Sequence, residues 1–200
     1  MAHDAAALAG WLRRANEKFA SEQANLNALD SAIGDGDHGA NLTRGFSKVV
    51  AKLEEQPPAT PAALFKLTGM TLIGTVGGAS GPLLGSFFLE AAKAAGDAAS
   101  LDDTALAACL HAGLAGVRAR GKAEPGDKTM IDSLTPAIAV LDAGGSLAAA
   151  AEAAHEGVEA TKPIVARKGR ASYLGERAIG HADPGATSSA MLLACLAGAA

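Results

Sequence analysis

The chain has 200 residues, 49% of them apolar and 19% charged, which is enough to bury one sizeable core and too apolar for a disordered segment. Seventeen basic residues against 21 acidic ones give a net charge of −4 without a basic patch, and aromatics make up only 4%, so a nucleic-acid surface is not expected. No apolar run reaches the ~18 residues of a membrane span, and the start MAHDAAALAGWLRR places its arginines after the apolar run, the reverse of a secretory signal.

Cys109 and Cys195 sit singly in Ala/Leu-rich segments and read as buried, reduced thiols, so a cytoplasmic protein is expected. Along the chain the first element is a helix, because Leu8, Trp11, Leu12, Ala15, Phe19, Leu26 and Leu29 recur at three- and four-residue steps. The next stretch, LDSAIGDGDHGAN, holds Gly34, Gly36 and Gly39 at the G-x-G-x-x-G spacing of a dinucleotide-binding loop. That fingerprint needs a preceding strand and a βαβ unit, whereas the residues before Gly34 read as helix. A calcium loop starting at Asp35 would put Phe46 where a bidentate glutamate belongs.

A magnesium site fits better. Asp30 lies near a helix end, Asp35 and Asp37 follow on a loop, and Gly34 and Gly36 let that loop turn sharply. Three converging carboxylates repel one another unless a hard cation sits between them. The same cation turns their repulsion of a diphosphate into attraction. The plainer alternative is an acidic turn capping the next helix, for which one aspartate would be enough.

Helices are predicted at 39–53 and 61–76, the latter with Thr60-Pro61 as cap and first turn. GTVGGASGPLLGS then lacks the Gly-Lys-Ser/Thr of a P-loop. It reads either as a backbone anion nest leading into a helix at 82–95, with Ser80 donating a hydroxyl, or as glycine-mediated helix packing. A helix at 103–120 starts from Asp102-Asp103. GDKTMID opens another at 127–141 with Asp127 as its cap; Pro136 should kink or split it. Lys128 reads as a phosphate contact or an exposed lysine, and Met130 as a core residue or a platform for a base.

After a helix at 146–161, RKGRASYLGERAIGHADPGATS contains Arg170, a phosphate clamp or one solvated cation among Arg167, Lys168 and Arg177. His181 reads as a catalytic base or a hydrogen-bonded structural histidine. Asp183-Pro184-Gly185 forms a turn, with or without a nucleotide packed on it, before a last helix at 186–200. Alternating strands, repeats and long linkers are missing from this pattern. The expectation is one all-α domain over residues 1–200, eight antiparallel helices in a bundle or closed ring with its polar glycine-rich connections at one rim.

LDSAIGDGDHGANLTRGF, GGASGPLLGSFF, GKAEPGDKTMIDSLTPA and GRASYLGERAIGHADPGATSSAMLL together resemble the ADP-binding L subunits of dihydroxyacetone kinases, essentially end to end. The resemblance implies an eight-helix antiparallel barrel with ADP or ATP at one end. It implies two Mg2+ ions between the phosphates and Asp30, Asp35 and Asp37. Nucleotide contacts carry over to His38, Gly39, Ala40, Asn41, Ala79, Ser80, Gly121, Met130, Arg170, Asp183, Pro184 and Gly185.

In that family a K subunit holds dihydroxyacetone covalently through a histidine, and the L subunit presents the γ-phosphate to it. In the phosphotransferase-dependent form, a phosphohistidine on an M subunit recharges bound ADP. The chain is L-like throughout, so a stand-alone subunit of that form is expected. It then needs no nucleophile or general base of its own, and neither His38 nor His181 is given a catalytic role. Two other readings stand beside this one: a nucleotide-loaded module binding a transcriptional regulator, as some L subunits are, and the equivalent subunit of a kinase for another small ketose.

Overall fold

The computed structural model describes residues 2–198. α1 (Ala5–Ser21) starts where the Asp4 carboxylate accepts from the Ala7 amide, and it buries the periodic face of Leu8, Trp11, Leu12, Ala15 and Phe19. The single long helix expected here is two. At Glu22 the backbone leaves the helical region (φ −97°, ψ 7°), and α2 (Gln23–Ile33) follows. No glycine or proline marks that break, so periodicity alone passes over it.

The remaining elements are α3 (His38–Glu55), α4 (Pro61–Thr75), α5 (Ser80–Ala95), α6 (Asp103–Gly121), α7 (Met130–Asp142), α8 (Leu147–Thr161) and α9 (Pro184–Ala197). Thr60, Asp102 and Ser146 cap α4, α6 and α8 by accepting from the amides of Ala63, Ala105 and Ala149. A 3-10 segment, Arg170–Ala178, lies in the long connection before α9. Of the last helix expected at 186–200, positions 199–200 lie outside the described residues. Two-residue strands β1 (His3–Asp4) and β2 (Ser100–Leu101) pair antiparallel, His3 opposite Leu101, too short for alternation to reveal them.

Helix contacts close a ring. α1 packs on α3; α3 through α9 each pack on the next; α9 returns to α1. α2 stands outside the ring, against α3, α9 and the 3-10 segment. The eight ring helices surround Trp11, Phe19, Phe46, Phe65, Phe87 and Phe88, all fully buried. Trp11 stacks obliquely on Phe88 at 5.8 Å and donates its indole N–H to the Leu192 carbonyl at 2.8 Å, which joins the first ring helix to the last. Among the described residues no helix is long and apolar enough to cross a membrane.

α7 differs from expectation at both its start and its middle. Asp127 does not cap it. Thr129 and Asp132 form a reciprocal capping box, and the Asp127 carboxylate accepts from Glu124 N within the preceding turn. Pro136 sits inside the helix without splitting it. Its missing N–H leaves the Asp132 carbonyl without the usual i+4 donor. α8 approaches the backbone there so closely that a Cβ on Gly157 would lie 2.2 Å from the Asp132 oxygen. Tight α7–α8 packing therefore covers the step where the helix loses a bond.

Candidate functional site

Four connections meet at one end of the ring, those at 34–37, 76–79, 122–129 and 162–183, and their residues line a single cleft. The first is organised by Asp30. Its buried carboxylate, in the last turn of α2, accepts through Oδ2 from the amides of Asp37 (2.9 Å) and His38 (3.2 Å). These bonds fold the loop back onto α2, with Gly36 supplying a left-handed φ of +81°. Gly34 must lack a side chain, since a Cβ there would lie 2.1 Å from Asp30 Oδ1.

Asp30, Asp35 and Asp37 consequently present carboxylate oxygens that all lie within 4.8 Å of one another. Capping accounts for one of the three aspartates. Asp37 precedes α3, yet its side chain makes no capping bond, and Asp30 serves the first amides of α3 from across the loop. Asp35 meets the Arg170 guanidinium at 2.9 Å, both side chains being exposed. A cluster of hard oxygen donors with one cationic partner suits Mg2+.

Opposite the aspartates stands the start of α5. The connection before it turns through Gly78 at φ +64°, and Gly81 packs so that a Cβ would sit 2.3 Å from the Val76 carbonyl. The glycines permit close packing, and that packing presents a helix N-terminus to the cleft. Among the helices that start at this end, α7 and α9 are capped by side chains, Thr129 with Asp132 and Asp183, whereas α5 has none at Ala79. Its first amides, with Ser80 Oγ beside them, have no side-chain cap and could donate to an anion in the cleft.

His38 joins three helix starts. One ring nitrogen lies 2.9 Å from Ser188 Oγ on α9, and the other 3.3 Å from Ser80 Oγ on α5. Burial lowers its pKa below the usual value, against the raising pull of the Asp30 and Asp37 charges. With both ring nitrogens engaged by serine hydroxyls, the imidazole braces the starts of α3, α5 and α9.

The far wall is less polar. Met130 is buried in the main core, as its plainer reading has it, and also lines the cleft with Leu83 and Pro184. Asp183 caps α9, accepting from Ala186 N at 2.7 Å, and its own amide donates to Thr161 Oγ1 at 3.0 Å. Burial pushes the Asp183 carboxyl up to about 7; Asp132 adds to the rise, while the Ala186 amide and the Lys128 charge oppose it. Between an unfolded value near 3.8 and about 7 the folded chain thus binds the extra proton, so this group's contribution to stability falls as pH rises through that window. Asp183→Asn keeps an effective helix cap and removes the buried charge. It is expected to raise the melting temperature of nucleotide-free protein at pH 8 and to change it little at pH 4; thermal unfolding at the two pH values checks this.

Lys128 is not the exposed lysine of its plainer reading, and it lines the cleft. It is 1% exposed, and its Nζ donates to the carbonyls of Ala178 (2.6 Å) and Ile164 (3.1 Å). His181 is exposed and does not line the cleft.

Among the expected site residues, Asp30, Asp35, Asp37, His38, Asn41, Ala79, Ser80, Met130, Arg170, Asp183, Pro184 and Gly185 all line the cleft. Gly39, Ala40 and Gly121 do not. A Cβ on Gly39 would lie 2.3 Å from the Gln23 carbonyl, so this glycine packs α3 onto α2. Ala40 N donates to Asn27 Oδ1 at 3.1 Å, and Gly121 rests against Leu83. Sequence reading missed Ile33, Leu83, Thr129, Lys168, Gly169 and Ala171 in the lining, and Ser188 as the partner of His38. The cation run offered a signal for Lys168; a serine inside a helix offers none.

The DAK2 domain family matches residues 32–198. The PEP-dependent dihydroxyacetone kinase, ADP-binding subunit DhaL, of Escherichia coli K12 is 47% identical, over 96% of this chain and 96% of its own length. The PTS-dependent dihydroxyacetone kinase, ADP-binding subunit DhaL, of Lactococcus lactis subsp. lactis IL1403 is 45% identical, over 93% of each. The crystal structure of the dihydroxyacetone kinase from C. freundii in complex with AMP-PNP and Mg2+ matches with a TM-score of 0.78 at 32% identity. This chain is covered over 98% of its length there and spans 34% of that longer chain.

Proposed function

The chain belongs to the DAK2 domain family, and we propose that it is the ADP-binding subunit of a phosphotransferase-dependent dihydroxyacetone kinase, working in the cytoplasm. The observation that carries this reading is the cluster of Asp30, Asp35 and Asp37 facing the open N-terminus of α5 across one cleft. Carboxylates alone would repel a nucleotide diphosphate. Two Mg2+ ions held by Asp30, Asp35 and Asp37 would neutralise the charge on both sides and polarise the phosphoryl group.

The chain's own residues do the positioning. The first amides of α5 and Ser80 Oγ hold phosphate oxygens, helped by the helix dipole. Arg170, paired with Asp35 at the rim, clamps the diphosphate. Met130, Leu83 and Pro184 supply an apolar wall for the base. No proton need be moved here, because the acceptor ketose is held on a K subunit and activated there. The cleft would keep ADP in place as a coenzyme, to be recharged by the phosphohistidine of an M subunit.

Reconstitution tests this directly. The chain mixed with K subunit, phosphorylated M subunit and dihydroxyacetone is expected to form triose phosphate with ADP in catalytic amount. A complete mixture that forms none would contradict the proposal.

A further inference from the structure

The connection between α8 and α9 forms a strap over the cleft. Its ends meet at the base, where the Gly180 amide donates to the Lys162 carbonyl at 2.8 Å. Gly169, Gly175 and Gly180 have φ values of +67°, +58° and +92°, and Gly175 interrupts the 3-10 segment. Few regular bonds stiffen such a path. Its apolar anchorage is slight too: Ala166, Ala171 and Ala178 form with Ile33 a small cluster apart from the main core. At the rim, the Arg170–Asp35 pair lies in solvent and adds little hold.

The firm attachment is on the other side. Asp127 O accepts from Arg167 N at 3.0 Å, and the Lys128 ammonium, buried in the fold, donates to carbonyls on both limbs of the strap, Ile164 and Ala178. Lys128 takes a left-handed φ of +62° to do so, a conformation that a long side chain seldom adopts. Two of the three N–H donors of its Nζ are engaged by strap carbonyls, although the residue also lines the cleft.

We propose that Lys128 is a positioning residue for nucleotide binding. By clipping Ile164 and Ala178 to the start of α7, it sets the curve of the strap so that Gly169 and Arg170 close over the aspartate loop. Although Lys128 lines the cleft, its effect runs through Arg170 and not through a contact of its own. The nucleotide part of this inference rests on the function proposed above; the strap part does not.

The test uses the whole chain. In nucleotide-free protein, hydrogen exchange is measured for Lys128→Met, which keeps the bulk and removes the donors. It is also measured for Lys128→Gly, which removes the side chain and suits the left-handed backbone. Exchange across 163–179 is expected to rise at least tenfold in both, with α4, α5 and α6 unchanged. ADP affinity in Mg2+ is expected to fall about tenfold, and Lys128→Met should add almost nothing to that loss when Arg170→Ala is already present.

Wild-type exchange in the strap of either folded variant would overturn the proposal. So would an equal further loss of affinity on the Arg170→Ala background. If Lys128→Met does not fold, the exchange and affinity of Lys128→Gly decide between the two outcomes. Wild-type protein that binds no ADP would instead count against the nucleotide reading, while the exchange result still decides the strap.

Discussion

Asp37→Ala is expected to weaken Mg2+-dependent ADP binding by on the order of 100-fold or more, with helical content unchanged. The separation of the two effects follows from where the side chain sits. Asp37 is exposed and gives α3 no capping bond, and the amide it offers to Asp30 belongs to the backbone, so the loop keeps its fold without the carboxylate. What disappears is one of three clustered oxygen donors. Of the two left, the Asp35 carboxylate is already shared with Arg170. Calorimetric titration of ADP with and without Mg2+, beside a circular dichroism spectrum, reads both quantities. Unchanged affinity would mean that no metal on these aspartates holds the nucleotide.

Gly34→Ala should damage the site and the fold together. A methyl group there would lie 2.1 Å from Asp30 Oδ1 and 3.0 Å from both the Asp30 carbonyl oxygen and Cγ. The carboxylate cannot swing away freely, because two backbone amides hold its other oxygen. Moving it uncaps the start of α3 and pulls Asp30 out of the cluster. A stability loss of about 1–3 kcal/mol is expected, along with loss of Mg2+–ADP binding. Removing the obstructing carboxylate gives a sharper check. In an Asp30→Ala background the same Gly34→Ala change should cost much less stability, because the oxygen it meets is gone. Equal costs in the two backgrounds would mean that the 34–37 loop is not built around Asp30.

Much of this architecture can be read from local sequence, and the failures share a cause. The ring helices announce themselves through periodic Leu, Phe and Trp and through caps such as Thr60, Asp102 and Ser146, whose bonds run only three residues ahead. The aspartate cluster is legible for the same reason: Asp30, Asp35 and Asp37 are near in sequence, and the glycines between them leave few other uses for three charges. Lys128 is the opposite case. Its charge points to solvent or phosphate, but its partners are carbonyls 36 and 50 residues further on, and no local pattern records them.

Pro136 misleads in a similar way, because the packing of Gly157 against Asp132 is a tertiary contact. Gly39, Ala40 and Gly121 do not line the cleft and pack beside it, so the motif that includes them spans both cleft-lining residues and the packing behind them.

The central claim is that this chain holds a nucleoside diphosphate through metal bound by Asp30, Asp35 and Asp37. Native mass spectrometry of the purified chain tests it most directly. The expected mass is that of the chain plus ADP and Mg2+, either as isolated or after incubation with both. A chain that stays bare in excess ADP and Mg2+ would contradict the claim.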